Sequence, residues 1–109
     1  STIVPLLADV TMADAPAAVV NEAIKTFGRI DVLVNNAGIG NAGSVVNTTD
    51  EQWDRILDVN LRGAFRLSRQ ALPHLTKGCG SIISMSFTLG LFGAANNAAY
   101  AASKAGLIV

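Results

Sequence analysis

The sequence has a single cysteine, a single histidine, no excess of charge of either sign and no long apolar run. Because Cys79 stands alone, no internal disulfide can form, and we expect a reducing, cytoplasmic location. His74 has no second ligand beside it, so no metal site is predicted. Eight basic and eight acidic side chains cancel, which argues against a nucleic-acid partner. No apolar stretch reaches the roughly 18 residues of a membrane span, so no membrane association is expected.

What the sequence does contain is an alternation of two apolar patterns. Half of its 109 residues are apolar, which is enough for one domain with a core. Short β-branched runs predict strands at residues 3–7, 30–34 and 81–85. Helical spacing of apolar residues predicts helices at residues 13–27, 50–75 and from residue 98 onward. This order predicts the α/β class: a doubly wound, Rossmann-like parallel sheet with helices on both faces and ligands at the carboxyl ends of the strands.

Local signals mark the ends of the first two helices. Thr11 with Asp14, and Thr49 with Gln52, have the spacing of capping boxes, in which two side chains satisfy backbone N–H groups reciprocally. Gly28 is expected to end the first helix, because glycine readily adopts the left-handed conformation found just past a helix.

One pair of side chains has the spacing of an acid/base site. Tyr100 and Lys104 are four residues apart on the last helix, so they share a face. An ammonium group near a phenol favours the phenolate, and the helix N-terminus adds positive potential at the tyrosine. Such a phenol can act as a general acid or base. The alternative is an ordinary surface pair on an amphipathic helix, because this spacing is common.

Two asparagine-containing segments also have functional and structural interpretations. The Asn-Asn-Ala-Gly segment at residues 35–38 follows a buried strand, where small residues let a ligand approach the backbone; the alternative is an Asn-Gly turn. Asn60 lies in mid-helix between apolar positions. An inward asparagine needs partners, such as a water molecule or a local break in the helix. The alternative is an asparagine that faces solvent.

Together these segments resemble the short-chain dehydrogenase/reductase family. Five segments carry the resemblance in register: ADV at 8–10, GRIDVLVNNAG at 28–38, WDRILDVNLRGAF at 53–65, GSIISMS at 80–86 and AAYAASKAG at 98–106. The resemblance implies a nucleotide-binding fold of three βα units within a larger three-layer sandwich. It also implies hydride transfer between NAD or NADP and a small-molecule alcohol or ketone. A homodimer or homotetramer is implied as well, formed through the long helix predicted at residues 50–75 and the helix that carries Tyr100.

The resemblance further implies roles for individual residues. Tyr100 would exchange the substrate proton, Lys104 would favour the phenolate and bind the nicotinamide ribose, and Asn60 would hold a water molecule that links Lys104 to solvent. Two residues, Asp9 and Val10, would flank the adenine. The cofactor cleft would be lined by Asn35, Ala37 and Gly38.

The sequence departs from the family pattern in two respects. Residues 1–109 correspond to a partial dinucleotide-binding domain, without the N-terminal glycine-rich unit and the C-terminal substrate region. Phe87 also stands where the family has a catalytic serine, between Ser86 and Thr88 on the substrate side. Adjacent residues of an extended chain point in opposite directions, so neither neighbour simply replaces that serine. A catalytically weak or silent nucleotide-binding or assembly module is therefore the alternative function.

Overall fold

A computed structural model of the chain describes residues 2–40, 43–75, 79–93 and 95–108. Strands and helices alternate, which confirms the α/β class. The elements are α1 (Ala15–Phe27), β1 (Val32–Asn35), α2 (Asp50–Leu57), a π-helical turn (Asp58–Arg62), α3 (Gly63–Ala71), a 3-10 turn (Leu72–His74), β2 (Ser81–Ser84), α4 (Leu89–Phe92) and α5 (Ala98–Ile108). Among the residues described, no helix combines the length and apolar character needed to cross a membrane.

The two strands pair in parallel, with Val32 opposite Ser81 and Asn35 opposite Ser84. The pairing continues one step further, since the Met85 N–H donates to the Asn35 carbonyl at 2.9 Å. Parallel neighbours require a crossover connection, and the helical segment of residues 50–74, hereafter the long helix, supplies it. The carboxyl ends of both strands therefore meet at one edge of the sheet.

The strand predicted at residues 3–7 is wrong. This segment has no regular structure, and Ile3 and Leu7 are 92% and 102% exposed. A strand forms only when its backbone N–H and C=O groups find a neighbouring strand. Within the ranges described, both strands pair with each other and neither runs beside residues 3–7.

The core lies mainly between the helices. Helix α1 packs against α3, α3 packs against β1, and α5 packs against α2 and the π-helical turn. Val20, Ile56 and Ala99 are at most 3% exposed. The strands are less well covered, because Val32 and Val34 of β1 remain 52% exposed.

Close helix contacts depend on two glycines. A Cβ on Gly106 would lie 2.8 Å from Leu61 of the π-helical turn, and a Cβ on Gly90 would lie 2.8 Å from the backbone of α5. Real Cβ atoms do not approach other atoms so closely, so a larger residue at position 90 would push α4 away from α5, while a larger residue at position 106 would force the Leu61 side chain to move. Residues 87–99 are rich in Gly, Ala and Asn, a composition that predicts a loop, but this segment contains the short helix α4, which packs against α5 at Gly90.

The cap of α2 and the end of α1 are confirmed. Thr49 Oγ1 accepts from the Gln52 N–H at 3.1 Å, while Gln52 Oε1 accepts from the Thr49 N–H at 2.9 Å. Gly28 has a φ of 78°, and its N–H donates to the Ile24 carbonyl at 2.8 Å. Lys77-Gly78, a pair that predicts the end of the helix expected at residues 50–75, lies outside the described residues.

The capping box predicted for α1 is wrong. Asp14 occupies the N-cap position but makes no side-chain cap hydrogen bond. The Thr11 side chain instead donates to Asp9 Oδ1 at 2.7 Å, and the Thr11 N–H donates to the same oxygen at 2.9 Å. Asp9 therefore competes successfully for the groups that the capping box would use, and α1 begins two residues later than predicted, at Ala15.

Candidate active site

Helix α5 carries Tyr100 and Lys104 on the face that meets the carboxyl edge of the sheet. Lys104 is 6% exposed. Its Nζ donates to the Met85 carbonyl, just past β2, at 3.0 Å and lies 5.7 Å from the centroid of the Tyr100 ring. The lysine is thus hydrogen-bonded to the strand end and lies near the Tyr100 ring. Burial lowers the pKa of Lys104, because the charged ammonium loses contact with water.

Asn60 faces inward and lies in the π-helical turn, a local break of the kind that an inward asparagine requires. It is 1% exposed. Its Oδ1 accepts from the Ile39 N–H at 2.7 Å, and its Nδ2 donates to the Ile39 carbonyl at 2.8 Å and to Ser103 Oγ at 3.1 Å. Turns of this type interrupt α-helices frequently at functional sites. The water molecule that the resemblance assigns to Asn60 stays a prediction.

Ser103 is a site residue that the sequence reasoning missed. It is fully buried, and its hydroxyl donates to the Tyr100 carbonyl at 2.7 Å while accepting from Asn60. The hydrogen bond from Asn60 therefore reaches the backbone of Tyr100 through one side chain. The signal available in the sequence was a serine directly before Lys104, and helical serines often bond to the carbonyl three or four residues back.

Gly38 brings the loop after β1 close to these polar groups. A Cβ at this position would lie 3.3 Å from Lys104 Nζ and 3.4 Å from Asn60 Oδ1. The distance to the lysine is tighter than ordinary van der Waals contact and that to Asn60 is at its lower limit, so the absence of a side chain lets the loop approach the lysine. The glycine predicted to line the cleft therefore lies directly beside two of the three predicted catalytic residues.

Asn35 connects the sheet to the long helix. Its Nδ2 donates to Ser68 Oγ at 3.1 Å and to Ser84 Oγ at 3.3 Å. The residue is 6% exposed, and its buried Oδ1 has no hydrogen-bond partner among the described residues. With Val10 and Ala37, Asn35 lines a cavity of about 210 Å³. An unsatisfied acceptor there can receive a hydrogen bond from a bound molecule.

Asp9 directly precedes Val10, which lines the smaller cavity. Its carboxylate accepts hydrogen bonds from the Thr11 N–H and hydroxyl, which hold the pKa of Asp9 below its ordinary value. The next residue, Val10, contacts the long helix at Gly63, where an added Cβ would lie 3.1 Å from the valine side chain. Asp9 and Val10 are therefore fixed relative to the helix that also carries Asn60.

A larger open cavity of about 670 Å³ brings Tyr100, Lys104 and Gly38 together with Ser86, Phe87 and Asn97. This volume lies within the range of about 300–1,000 Å³ that is typical of small-molecule sites. Asn35 and Ala37, in contrast, line the smaller cavity described above, so the predicted cofactor-cleft residues divide between the two. Asn36 and Asn97 line the larger cavity and were not among the predicted site residues.

Phe87 lines the larger cavity beside Tyr100. Its ring meets the Tyr100 ring edge to face, with the centroids 6.2 Å apart and the planes inclined at 69°. Ser86 also lines the cavity, but its hydroxyl donates to the Lys104 carbonyl at 2.8 Å. Thr88 lies at the start of α4 and does not line the cavity. In this arrangement neither neighbour of Phe87 offers an uncommitted hydroxyl next to the phenol.

Comparison with known proteins gives a consistent result. A family model described as enoyl-(acyl carrier protein) reductase matches residues 1–109. The chain is 41% identical over 105 residues to a 3-oxoacyl-(acyl-carrier-protein) reductase of Thermotoga maritima, covering 95% of this chain and 43% of that protein. It is 43% identical over 99 residues to a trans-4-hydroxycyclohexanecarboxylate dehydrogenase of Sinomonas cyclohexanicum, covering 91% and 38%.

Two solved structures are also similar to the chain in fold and sequence. A crystal structure of a short-chain dehydrogenase from Mycobacterium smegmatis has a TM-score of 0.89 and 39% identity, covering 94% of this chain and 44% of that one. A short-chain dehydrogenase/reductase from Brucella melitensis has a TM-score of 0.90 and 36% identity, covering 94% and 43%. The chain therefore spans less than half of the length of these relatives, several of which are named as oxidoreductases.

Proposed function

The chain belongs to the short-chain dehydrogenase/reductase family, and from this premise we propose that it serves an oxidoreductase acting on an alcohol/carbonyl pair, with NAD or NADP as cofactor and Tyr100 as the general acid/base. The observation that carries the proposal is the position of Tyr100 beside Lys104 at the mouth of a cavity of about 670 Å³. Position and electrostatics are what a protein contributes to cofactor chemistry.

The residues present fit a dinucleotide. Gly38 leaves space for a close approach to Lys104, and the buried Oδ1 of Asn35 lacks a donor. Both residues lie at the carboxyl edge of the sheet, where open α/β sheets bind their ligands. Lys104 and Gly38 would hold the nicotinamide half, while Val10, Asn35 and Ala37 would lie toward the adenosine half. Asp9 would flank the adenine with Val10.

In the proposed reaction the chain's own residues orient the substrate and move one proton. When bound, the nicotinamide supplies or accepts the hydride. Tyr100 gives its hydroxyl proton to the carbonyl oxygen during reduction and takes it back during oxidation. Lys104 stabilises the phenolate by its positive charge, while the hydrogen bond between Met85 and Lys104 fixes the ammonium. Asn60 acts through Ser103, which fixes the backbone of Tyr100.

The test is cofactor-dependent turnover by the full-length protein on a panel of alcohols and ketones, followed by absorbance of the reduced nicotinamide. Tyr100→Phe should lower kcat/KM at least about 100-fold, because it removes the proton donor. Binding of the reduced cofactor, followed by fluorescence, should change little. Thr26→Val is the matched control, since it also removes one hydroxyl, from an exposed position on α1. Full activity in Tyr100→Phe would refute the proposal.

A nucleotide-binding or assembly module without turnover is the second candidate, and one specific observation favours it. Phe87 replaces a hydroxyl donor by a ring in contact with Tyr100, and Ser86 is committed to a backbone carbonyl. Loss of one such donor removes about 2.7–4 kcal/mol of transition-state stabilisation. Cofactor binding without turnover, together with activity that appears in Phe87→Ser, would favour this candidate.

The long helix and α5 are further proposed to form a homodimer or homotetramer interface. Phe65 on the long helix is 59% exposed, and it lines an apolar surface cavity with Leu57 and Leu61. Apolar surface of this kind on a helix is typical of an association site. Phe65→Glu should shift the mass of the full-length protein in light scattering toward the monomer. The cytoplasmic location stays a prediction from the sequence.

A further inference from the structure

The substrate cavity lacks the donor that the family places at position 87, and one other side chain on its wall can supply it. Phe87 has no polar atom, and the Ser86 hydroxyl already donates to the Lys104 carbonyl at 2.8 Å. A carbonyl compound bound beside Tyr100 therefore needs a second hydrogen-bond donor from elsewhere in the cavity wall. The described polar residues of that wall are Ser86, Asn36, Asn97, Tyr100 and Lys104.

Asn97 lies on the tyrosine side of this wall. It directly precedes α5 and accepts the Ala101 N–H at 2.8 Å through its carbonyl, so it is three residues before Tyr100 at the start of the same helix. Asn36, in contrast, follows β1 in the glycine-rich segment that we assign to the cofactor. Of the two asparagines, Asn97 is therefore the one whose position is tied to the phenol.

The backbone and amide of Asn97 are both held in place. Residues Gly43 and Asn97 form an isolated parallel bridge, and the Ala98 N–H donates to the Gly43 carbonyl at 3.3 Å. The Asn97 Nδ2 donates one hydrogen bond to the Ala95 carbonyl at 3.1 Å. An amide nitrogen carries two hydrogens, so a second donor remains. Fixed donors stabilise developing charge better than mobile ones, because they need no reorganisation during the reaction.

We infer that Asn97 donates a hydrogen bond to the substrate oxygen and so replaces the missing serine hydroxyl, with Phe87 forming an apolar wall against the substrate's carbon skeleton. The inference rests on the proposed function and extends it to substrate class: ketones or secondary alcohols with an apolar substituent. Phe87 is 52% exposed and Leu89 lines the same cavity, so an apolar group has surface to contact there. Tyr100 exchanges the proton at the same oxygen.

The experiment is a double-mutant cycle in the full-length protein, with NADH and NADPH each tested against apolar ketones. Asn97→Ala should lower kcat/KM by about 100-fold, the lower range for removing one such donor. Cofactor affinity should stay within about twofold, since Asn97 lies on the substrate side. Asn97→Gln, which keeps the amide, should recover part of the loss. In the Phe87→Ser variant, Asn97→Ala should lower kcat/KM much less than in the wild type, because the new serine hydroxyl supplies a hydrogen-bond donor.

Four results would overturn the inference, and the last of them would also reject the proposed function. The first is a kcat/KM of Asn97→Ala close to that of the wild type. The second is an equal fall in kcat/KM when Asn97→Ala is introduced into the wild type and into Phe87→Ser, as expected of a purely structural residue. The third is an inactive wild type with an active Phe87→Ser variant, which would reject Asn97 as the substitute donor and keep the chemistry of Tyr100. Inactivity of both proteins with bound cofactor would reject the proposed function as well.

Discussion

Replacing Asn60 by leucine should destabilise the protein because three hydrogen bonds in a buried place would be lost together. Asn60 is 1% exposed. It accepts from the Ile39 N–H at 2.7 Å and donates to the Ile39 carbonyl at 2.8 Å and to Ser103 Oγ at 3.1 Å. Leucine has a similar volume and can replace none of these bonds. At about 1 kcal/mol for each bond, the expected loss in the free energy of unfolding is about 3 kcal/mol.

The assay is urea denaturation of the full-length protein, with a thermal melt as the second measurement. For a domain of about 100 residues, each kcal/mol shifts Tm by about 4–8 °C, so Asn60→Leu should lower Tm by about 12–24 °C. The matched control is Asn47→Leu, an exposed asparagine in the turn before α2. This change should stay within about 0.5 kcal/mol, as surface substitutions usually do.

A fall in the free energy of unfolding of less than about 1 kcal/mol for Asn60→Leu would refute this reasoning, provided that the slope of this free energy against urea concentration is unchanged. It would mean that Ile39 and Ser103 find other partners or water in the variant. A larger loss than in the control, accompanied by a fall in kcat at unchanged cofactor affinity, would support the role of Asn60 in holding Tyr100 through Ser103. Ser103→Ala should then reproduce part of the fall in kcat, since it interrupts the same connection.

Two further predictions concern α5. Burial lowers the pKa of Lys104, so the folded protein binds fewer protons than the unfolded chain as the pH approaches the lysine's ordinary pKa of 10.5. The free energy of unfolding of the wild type should therefore rise with pH relative to that of Lys104→Met, as measured by urea denaturation between about pH 7 and 10. Parallel pH profiles of the two proteins would contradict this. In the same assay, Gly90→Ala should lower the free energy of unfolding by about 1–3 kcal/mol, because the new Cβ would lie 2.8 Å from the backbone of Lys104 and Ala105. An unchanged free energy of unfolding would show that α4 moves freely on α5.

Features that depend on residues close in sequence could be predicted. The Thr49–Gln52 capping box and the Gly28 helix end are decided by a few neighbouring backbone groups, and both form as expected. The failure at Thr11 is also local, but two carboxylates compete there. Asp9 accepts from Thr11 at 2.7 Å, so the spacing of Thr11 and Asp14 alone did not decide the outcome.

Features that depend on distant partners could not be predicted. Residues 3–7 have the composition of a strand, yet a strand needs a neighbour whose position the local sequence does not encode. The hydrogen bond between Ser86 and the Lys104 carbonyl joins residues 18 apart, and that between Asn60 and Ser103 joins residues 43 apart. Sequence spacing gave the residue types of the site, while these long-range bonds determine which hydroxyls are still available to a ligand.

The hydrogen bonds that hold the Tyr100 backbone and the Lys104 ammonium do not involve Phe87. Lys104 is fixed by the Met85 carbonyl, and Tyr100 is fixed by Ser103 and Asn60, all through bonds that exclude the phenylalanine side chain. The Phe87 ring meets the Tyr100 ring edge to face, with the centroids 6.2 Å apart, and takes no part in these hydrogen bonds. In the proposed reaction Phe87 therefore removes one hydrogen-bond donor to the carbonyl oxygen and leaves Tyr100 and Lys104 in position. One donor near that oxygen should then restore the reaction, and we expect either the Asn97 amide or a serine introduced at position 87 to supply it.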